Sequence, residues 1–269
     1  MLDFQLLEQW FIGNTEIVKA EVGGSVVWEK PDKTIPFYVE NITDSTETLI
    51  VKKFNSSAPS VTIEISSDKI NWSTFGTTST TGITRTILPG ERLYMRANTG
   101  AWGVKITSGS TTEFSHNMIQ GVSKVGGNVM SLIYGENFTG NETSFPANTS
   151  VNLMGLFYEN TTLTHAGELI LPATTLTEYC YCAMFVTSSV RYTPVLPAST
   201  LVEGCYEQMF QYCPDIQKVI CLATNISAYN CTLNWLNGNV YYRTFIKKTN
   251  TVWPQGASGI PASWTVIEA

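Results

Sequence analysis

The residues best equipped for chemistry are six cysteines, and all of them lie between Cys180 and Cys231. A thiolate is a nucleophile and a soft metal ligand, so such a cluster can be a zinc site, a disulfide framework or a set of buried thiols. The spacing favours buried thiols. Cys180-Tyr-Cys182 is not the Cys-x-x-Cys pair of zinc sites, and Cys180 and Cys205 hold matching places in a repeat, which sets them side by side. No metal or cofactor is expected. His116 and His165 are far apart, each in a Ser/Thr context, so exposed or hydrogen-bonded rings are expected rather than a base beside a nucleophile. Carboxylates are scattered, and no spacing marks a glycosidase pair. Gly-x-Ser-x-Gly, His-Glu-x-x-His, phosphate-loop and dinucleotide motifs do not occur. The chain reads as a non-enzyme, with polysaccharide cleavage as the remaining catalytic alternative.

Composition points to extended structure. Charged residues make up 14%, well below the usual quarter, so Thr, Ser and Asn must supply the polar surface, as they do in β proteins. The formal net charge of −6 leaves no basic footprint for nucleic acid. No apolar run approaches the length of a membrane span, so insertion into a membrane is not expected.

The elements that must position these side chains show in a repeat. Leu171-Pro-Ala-Thr-Thr-Leu176 returns 25 positions later as Leu196-Pro-Ala-Ser-Thr-Leu201, Cys180-Tyr181 as Cys205-Tyr206, and Met184-Phe185 as Met209-Phe210. Downstream, Cys221-Leu-Ala-Thr-Asn-Ile226 keeps the frame, with Ile226 in the place of Leu201 and Trp235 in the place of Phe210. Upstream, Phe145-Pro-Ala and Leu156-Phe157 fit with two or three extra residues. A constant offset marks stacked units, each with an apolar face that only its neighbours can bury. The expectation is a short solenoid over residues 129–269. Its core is Leu171, Leu176, Tyr181, Phe185, Leu196, Leu201, Tyr206, Phe210, Ile226 and Trp235. Residues 129–138 cap one end, and Val240–Lys248 with Trp253–Trp264 close the other.

Two further regions precede it. Residues 1–30 read as a β meander of Leu7–Ile12, Glu16–Val22 and Ser25–Glu29, turning at Gly13-Asn14 and Gly23-Gly24. Leu2–Phe11 fits a helix almost as well. A sheet this small is barely stable alone, so Trp10, Phe11, Ile12, Val18, Val22 and Trp28 are candidates for docking on a partner. After a hinge at Pro31–Pro36, residues 35–110 alternate as an Ig-like β sandwich. Val61, Ile63 and Ile65 face one way, as do Leu93, Met95 and Ala97, with further strands at Phe37–Glu40, Thr48–Phe54, Thr84–Leu88 and Trp102–Thr107. Residues 111–128, rich in Ser, Thr and Gly, read as a linker. The expected fold class is mainly β and multidomain.

Resemblances to known families bear on role. Leu-Pro-Ala-Thr-Thr-Leu, then Cys-Tyr, then Met-Phe, resembles the BspA-like leucine-rich repeat, whose motif runs on to a Cys three residues after the Phe. Cys213 matches, and Ser188 departs. Ile260-Pro-Ala-Ser-Trp264 resembles the usual end of such arrays. Phe11-Ile-Gly-Asn-Thr-Glu16, followed by a Gly-containing hairpin and Val27-Trp28, resembles a short attachment module of tailed-phage virion proteins. Ser66-Ser-Asp68-Lys-Ile-Asn-Trp72 is similar to the Asp-box turn of sialidases. It is one residue short and lacks the Gly, so it reads as a hairpin turn with a packed Trp. The order of meander, sandwich and array, behind an acidic start with no export signal, resembles decoration, fibre and tail-accessory proteins of phages of gut Bacteroidales, including the crAss-like group. That resemblance implies a virion protein assembled in the host cytoplasm. It would dock on other virion proteins through its N-terminus, project its repeats toward a host surface glycan or protein, and form a trimer or dimer. The alternative is a bacterial cell-surface adhesin module, because these repeats specify a fold more than a function.

Overall fold

The computed structural model describes residues 10–268 apart from 13, 14, 18, 23, 24, 30, 98–101, 109, 110, 147–151, 240 and 241, and for residues 10–29 it describes the backbone. The protein is mainly β, with one short helix among the described residues.

At the N-terminus, β1 (Trp10–Ile12) pairs antiparallel with β2 (Thr15–Ile17), and β3 (Lys19–Val22) with β4 (Ser25–Glu29). The flanking pairs Ile12–Thr15 and Val22–Ser25 close on the two expected turns, which themselves lie outside the described residues. Among the described residues the expected meander shows two two-stranded pairings, β1-β2 and β3-β4. Of the strand expected over Glu16–Val22, Glu16–Ile17 belong to β2 and Lys19–Val22 to β3, and Val18 between them lies outside the described residues. The open choice between helix and strand for Leu2–Phe11 resolves to strand at Trp10–Ile12, and its earlier residues lie outside the description.

Residues 35–128 form two facing sheets. Their strands are β5 (Tyr38–Glu40), β6 (Glu47–Lys53), β7 (Thr62–Ser66), β8 (Ser73–Thr77), β9 (Ile83–Ile87), β10 (Arg92–Ala97), β11 (Gly103–Ser108), β12 (Thr111–Gln120) and β13 (Lys124–Asn128). One sheet is four-stranded and antiparallel, in the order β11-β12-β6-β9. The other starts as β8-β7-β10-β5-β13 and continues into the rest of the chain. Ile63, Ile65, Leu93, Met95 and Ala97 from one sheet meet Leu49, Val51 and Ile119 from the other in a shared core. β8 has no apolar alternation to announce it, because it is an edge strand with both faces at least partly exposed.

The expected linker over residues 111–128 is overturned: it holds β12, a ten-residue strand, and β13. Its glycines mark close packing rather than a loose connection. A Cβ on Gly126 would lie 2.3 Å from the Tyr38 hydroxyl, so only glycine lets the Tyr38 ring lie across β13. Consequently β13 pairs with β5 on one side and with β14 (His165–Ile170) on the other. The buried core runs without a break from Phe37 and Val39 to Trp253 and Trp264.

From β13 onward the large sheet is parallel, through β14, β15 (Tyr192–Leu196), β16 (Lys218–Cys221), β17 (Thr244–Lys247) and β18 (Thr265–Glu268). The segments between these strands are runs of turns stacked on one another. Tyr181, Ala183 and Phe185 donate their N–H groups to Cys205, Glu207 and Met209 at 3.1, 2.8 and 2.8 Å. The intervening Cys182 and Met184 donate three residues back. Every second donor thus ties one unit to the next, and the others tighten the turn, so the backbone is satisfied without a strand or helix. Every fourth residue is left-handed: Tyr179, Ala183 and Thr187, then Gly204, Gln208 and Tyr212, then Asn230, Asn234 and Gly238.

This column corrects one expectation. The first step, Ala183 to Gln208, is 25 residues, and the second, Gln208 to Asn234, is 26. Ile226 stays opposite Leu201, whose N–H bonds Asn225 O at 2.9 Å, so the extra residue enters after Ile226. Trp235 therefore stands at Met209's place and Leu236 at Phe210's, while Cys231 extends the Cys180–Cys205 column. The ends are sealed by aromatics and by α1 (Ser131–Tyr134). Trp102 Nε1 donates to Leu132 O of this helix at 3.0 Å. At the far end, Trp253 stacks on Trp235 at 5.3 Å, and Trp264 Nε1 donates to Asn239 O at 3.2 Å.

Candidate functional site

The outward face of the large sheet carries a row of aligned side chains crossing both regions. Strand register sets Arg92, Glu40, Lys124, His165, Tyr192 and Lys218 beside one another on successive strands. A second row runs Tyr94, Tyr38, Gly126 and Glu168. Arg92 pairs with Glu40 at 2.9 Å and lies over the Tyr38 ring at 4.0 Å. Lys124 bridges Glu40 at 3.3 Å and Glu168 at 2.6 Å, and Tyr38 Oη donates to Glu168 at 2.5 Å. Burial pushes the Tyr38 hydroxyl above its ordinary range, and the Glu168 carboxylate beside it pushes the same way. Burial opposes ionisation of Glu168, but the Lys124 and Tyr38 hydrogen bonds hold its carboxyl below the usual range. The charges answer one another, and this network joins the two regions.

At the β8 end of the same face the pattern changes. The turn after β7 is built on Asp68, whose carboxylate accepts the Ile70 and Asn71 N–H groups at 2.9 and 2.8 Å. The Asn71 backbone and side-chain hydrogen bonds hold the Asp68 carboxyl well below the usual range. Trp72 Nε1 donates to Lys69 O at 3.1 Å, which fixes the ring. Arg96 lies over that ring at 4.5 Å, and its Nε–H is taken by Glu64 at 2.7 Å. Across from them stand Glu136 and Phe138, beyond α1. Together they line a cleft of about 340 Å³.

The cysteines are placed as their spacing led one to expect, as buried thiols. All six cysteines are buried and free. Burial pushes the Cys180, Cys182 and Cys205 thiols up, and takes Cys213 and Cys221 to about 12, so at neutral pH they are held as neutral thiols. Ser188 stands beside Cys213 at 3.6 Å, one unit before it in the same column. Among the described residues no group of three His, Cys, Asp or Glu side chains is placed to hold a metal ion.

His116 corrects the expectation of an exposed or hydrogen-bonded ring. It is buried, stacked on Phe54 at 4.9 Å and against Tyr158 at 5.1 Å, and neither ring nitrogen has a hydrogen-bond partner among the described residues. Its ring occupies the space over Gly155, where a Cβ would lie 2.1 Å away and where φ is +62°. Burial takes its pKa down to about 4. His165 is half-buried, bonded to Thr164 Oγ1 at 2.8 Å and tilted on Tyr192 at 4.6 Å.

Leu171, Leu176, Tyr181, Phe185, Leu196, Leu201, Tyr206, Phe210 and Trp235 are all buried, and Ile226 is half-buried against the same core. Phe157, Phe185 and Phe210 stack at 5.1 and 5.3 Å, and Tyr181, Tyr206 and Trp235 at 6.1 and 6.4 Å. Of the docking candidates, Trp10, Phe11 and Ile12 lie on β1, Val22 on β3 and Trp28 on β4, while Val18 lies outside the described residues. Sequence reasoning missed Arg96, Glu136 and Phe138 of the cleft. Arg96 and Glu64 are outward positions of alternating strands, a signal that was present, but Glu136 and Phe138 reach the cleft only through the placement of α1. No helix among the described residues is long and apolar enough to cross a membrane. Comparison with protein-family models, curated proteins and solved structures returns no match.

Proposed function

We propose that this chain is a structural and adhesive component of a tailed-phage virion. In this reading residues 1–30 dock on other virion proteins. The remainder is an Ig-like sandwich fused to a short BspA-like leucine-rich-repeat solenoid and projected from the particle. The observation that carries it is the ten-stranded sheet, which runs from β8 to β18 through β13. Two regions joined by strand pairing and a common core transmit load as one body, which suits a projecting part. The N-terminal hairpins supply the contrast. Each is a two-stranded sheet, a unit that gains most of its stability by packing on something else. The chemistry fits a non-catalytic role, since the thiols are neutral and the sheet-face charges are paired.

The test is deletion of residues 1–30 followed by mass spectrometry of purified particles. The truncated chain is expected to stay soluble, to keep its melting temperature, and to be missing from particles. Incorporation at the normal level overturns the attachment role. Absence of the full-length chain from particles overturns the virion reading and favours the cell-surface alternative.

A further inference from the structure

We propose that the contact around His116 is an acid-released joint: in acid the four-stranded sheet parts from residues 152–160 while β13 keeps the two regions together, so a rigid connection becomes a hinge. The two-sheet region and the repeat region meet in two places. One is β13, paired with β5 on one side and with β14 on the other. The other is a seam where β11 and β12 lie on residues 152–160. Trp102, just before β11, donates its N–H to Asn152 O at 3.1 Å, and Ile119 of β12 donates to Leu156 O at 2.8 Å. Asn152 Nδ2 donates to Gly103 O at 2.9 Å, and Gln120 Nε2 to Tyr158 O at 3.0 Å. His116 sits in this seam, packed on Phe54 and Tyr158, with both ring nitrogens buried and without a hydrogen-bond partner among the described residues. A neutral imidazole forgoes one donor and one acceptor bond there. An imidazolium would bury a charge and two unmet donors, which costs far more.

No neighbour relieves that charge. The ionisable groups on the elements around the ring are Lys105 on β11, Lys52 and Lys53 on β6, Glu113 on β12 itself, and Tyr158 and Glu159 on the turns, and none of them bonds it. Burial takes its pKa down to about 4. Inward movement is closed, because the ring already fills the space over Gly155. Outward movement is open, since Phe54, stacked on the imidazole, is 45% exposed. A protonated His116 therefore reaches water by displacing Phe54, and the seam opens with it. The β13 connection lacks this weakness. Lys124 holds Glu168 at 2.6 Å, and that carboxyl is kept below the usual range, so it stays ionised where His116 takes up its proton. The closed seam prefers the neutral ring and the open seam protonates near the ordinary 6.5. The joint is thus at full strength above pH 6.5 and weakens toward pH 4.

The experiment is native-state hydrogen exchange of the full chain, read amide by amide by NMR at pH 7.5 and pH 5 and in low urea, with the intrinsic pH dependence of exchange removed. Opening at the Trp102 and Ile119 amides is expected to rise about 30-fold between pH 7.5 and pH 5, the factor set by the two proton affinities of His116. Any opening that frees His116 gains that factor, so the urea slope separates the seam from global unfolding. At pH 5 the seam amides are expected to exchange at least about tenfold faster than those of β13 and of Tyr181 and Phe185, with a smaller urea slope. His116→Phe keeps an apolar ring in the stack and is expected to abolish the acid rise, whereas His165→Gln is expected to leave it unchanged. Seam amides that exchange with the slowest set and with the full urea slope at both pH values overturn the proposal. So does seam opening that acid does not increase, or an increase that persists in His116→Phe. The urea slopes of the natural chain decide the matter even where a variant fails to fold. None of these outcomes bears on incorporation of the chain into particles, which the deletion of residues 1–30 tests separately.

Discussion

The two halves of the large sheet solve the same packing problem differently. In the antiparallel half, β10 alternates inward Leu93, Met95 and Ala97 with outward Arg92, Tyr94 and Arg96, so one strand serves a core and a polar face. In the parallel half, β16 is buried over Val219, Ile220 and Cys221 in succession, and cohesion comes from side chains stacked in columns between units. Alternation buries residues against the opposite sheet, which is remote in sequence. Columns bury them against the neighbouring unit, one repeat away. A parallel array of this kind gains stability from nearest neighbours, yet here its first neighbour is the antiparallel half itself. The halves differ in construction and share a boundary strand, β13, that neither can lose.

The comparison can be broken most forcefully in the Phe157–Phe185–Phe210 column. Phe210→Ala removes a fully buried ring and is expected to cost about 3–5 kcal/mol. Because β13 and the core join the halves, chemical denaturation should show one transition shifted to lower denaturant. Two separate transitions, with β6 and β12 amides still protected in the second, would show that the halves are independent.

Acid probes the boundary from inside. His116, on β12, is packed against Tyr158 and Gly155 of the repeat side. Its folded pKa of about 4 lies below the ordinary 6.5, so the unfolded chain takes up the proton first as pH falls. Stability is therefore complete above pH 6.5 and declines toward pH 4, by up to ~3 kcal/mol. Urea denaturation at several pH values across this window should show the decline. His116→Phe should be flatter than the natural chain by about that amount, and an identical slope in the two proteins would remove His116 as the cause.

Gly126→Ala sharpens the role of β13 with a smaller effect. The added methyl meets the Tyr38 ring, and the expected cost is about 1–3 kcal/mol. Restoring room with a second change, Tyr38→Ala, should recover part of the loss in a double-mutant cycle. Strict additivity would mean that the two do not meet.

Much of the architecture was legible in the chain. The alternation around Ile63 and Met95 announced strands, and the repeat announced stacked units whose Tyr and Phe rings form columns. The misreadings have physical causes. Residues 111–128 looked like a linker because glycine and small polar residues usually mark loops, whereas Gly126 is small to admit Tyr38. His116 looked exposed or hydrogen-bonded because its sequence neighbours are polar, while its ring packs on Tyr158 and Gly155, far away in sequence. Trp235 was placed one position off because an offset counted from Leu201 and Ile226 cannot register a residue inserted after them.

By itself the sequence determined the 25-residue period between the two clear units and the burial of their recurring apolar residues, because these depend on side-chain types at regular spacing. Tertiary structure alone decided that the two halves are one sheet, that the His116 ring is buried, and that Arg96, Trp72 and Phe138 line one cleft. Those facts depend on which strand pairs with which, and pairing between distant segments is set by the fit of whole surfaces rather than by any local pattern.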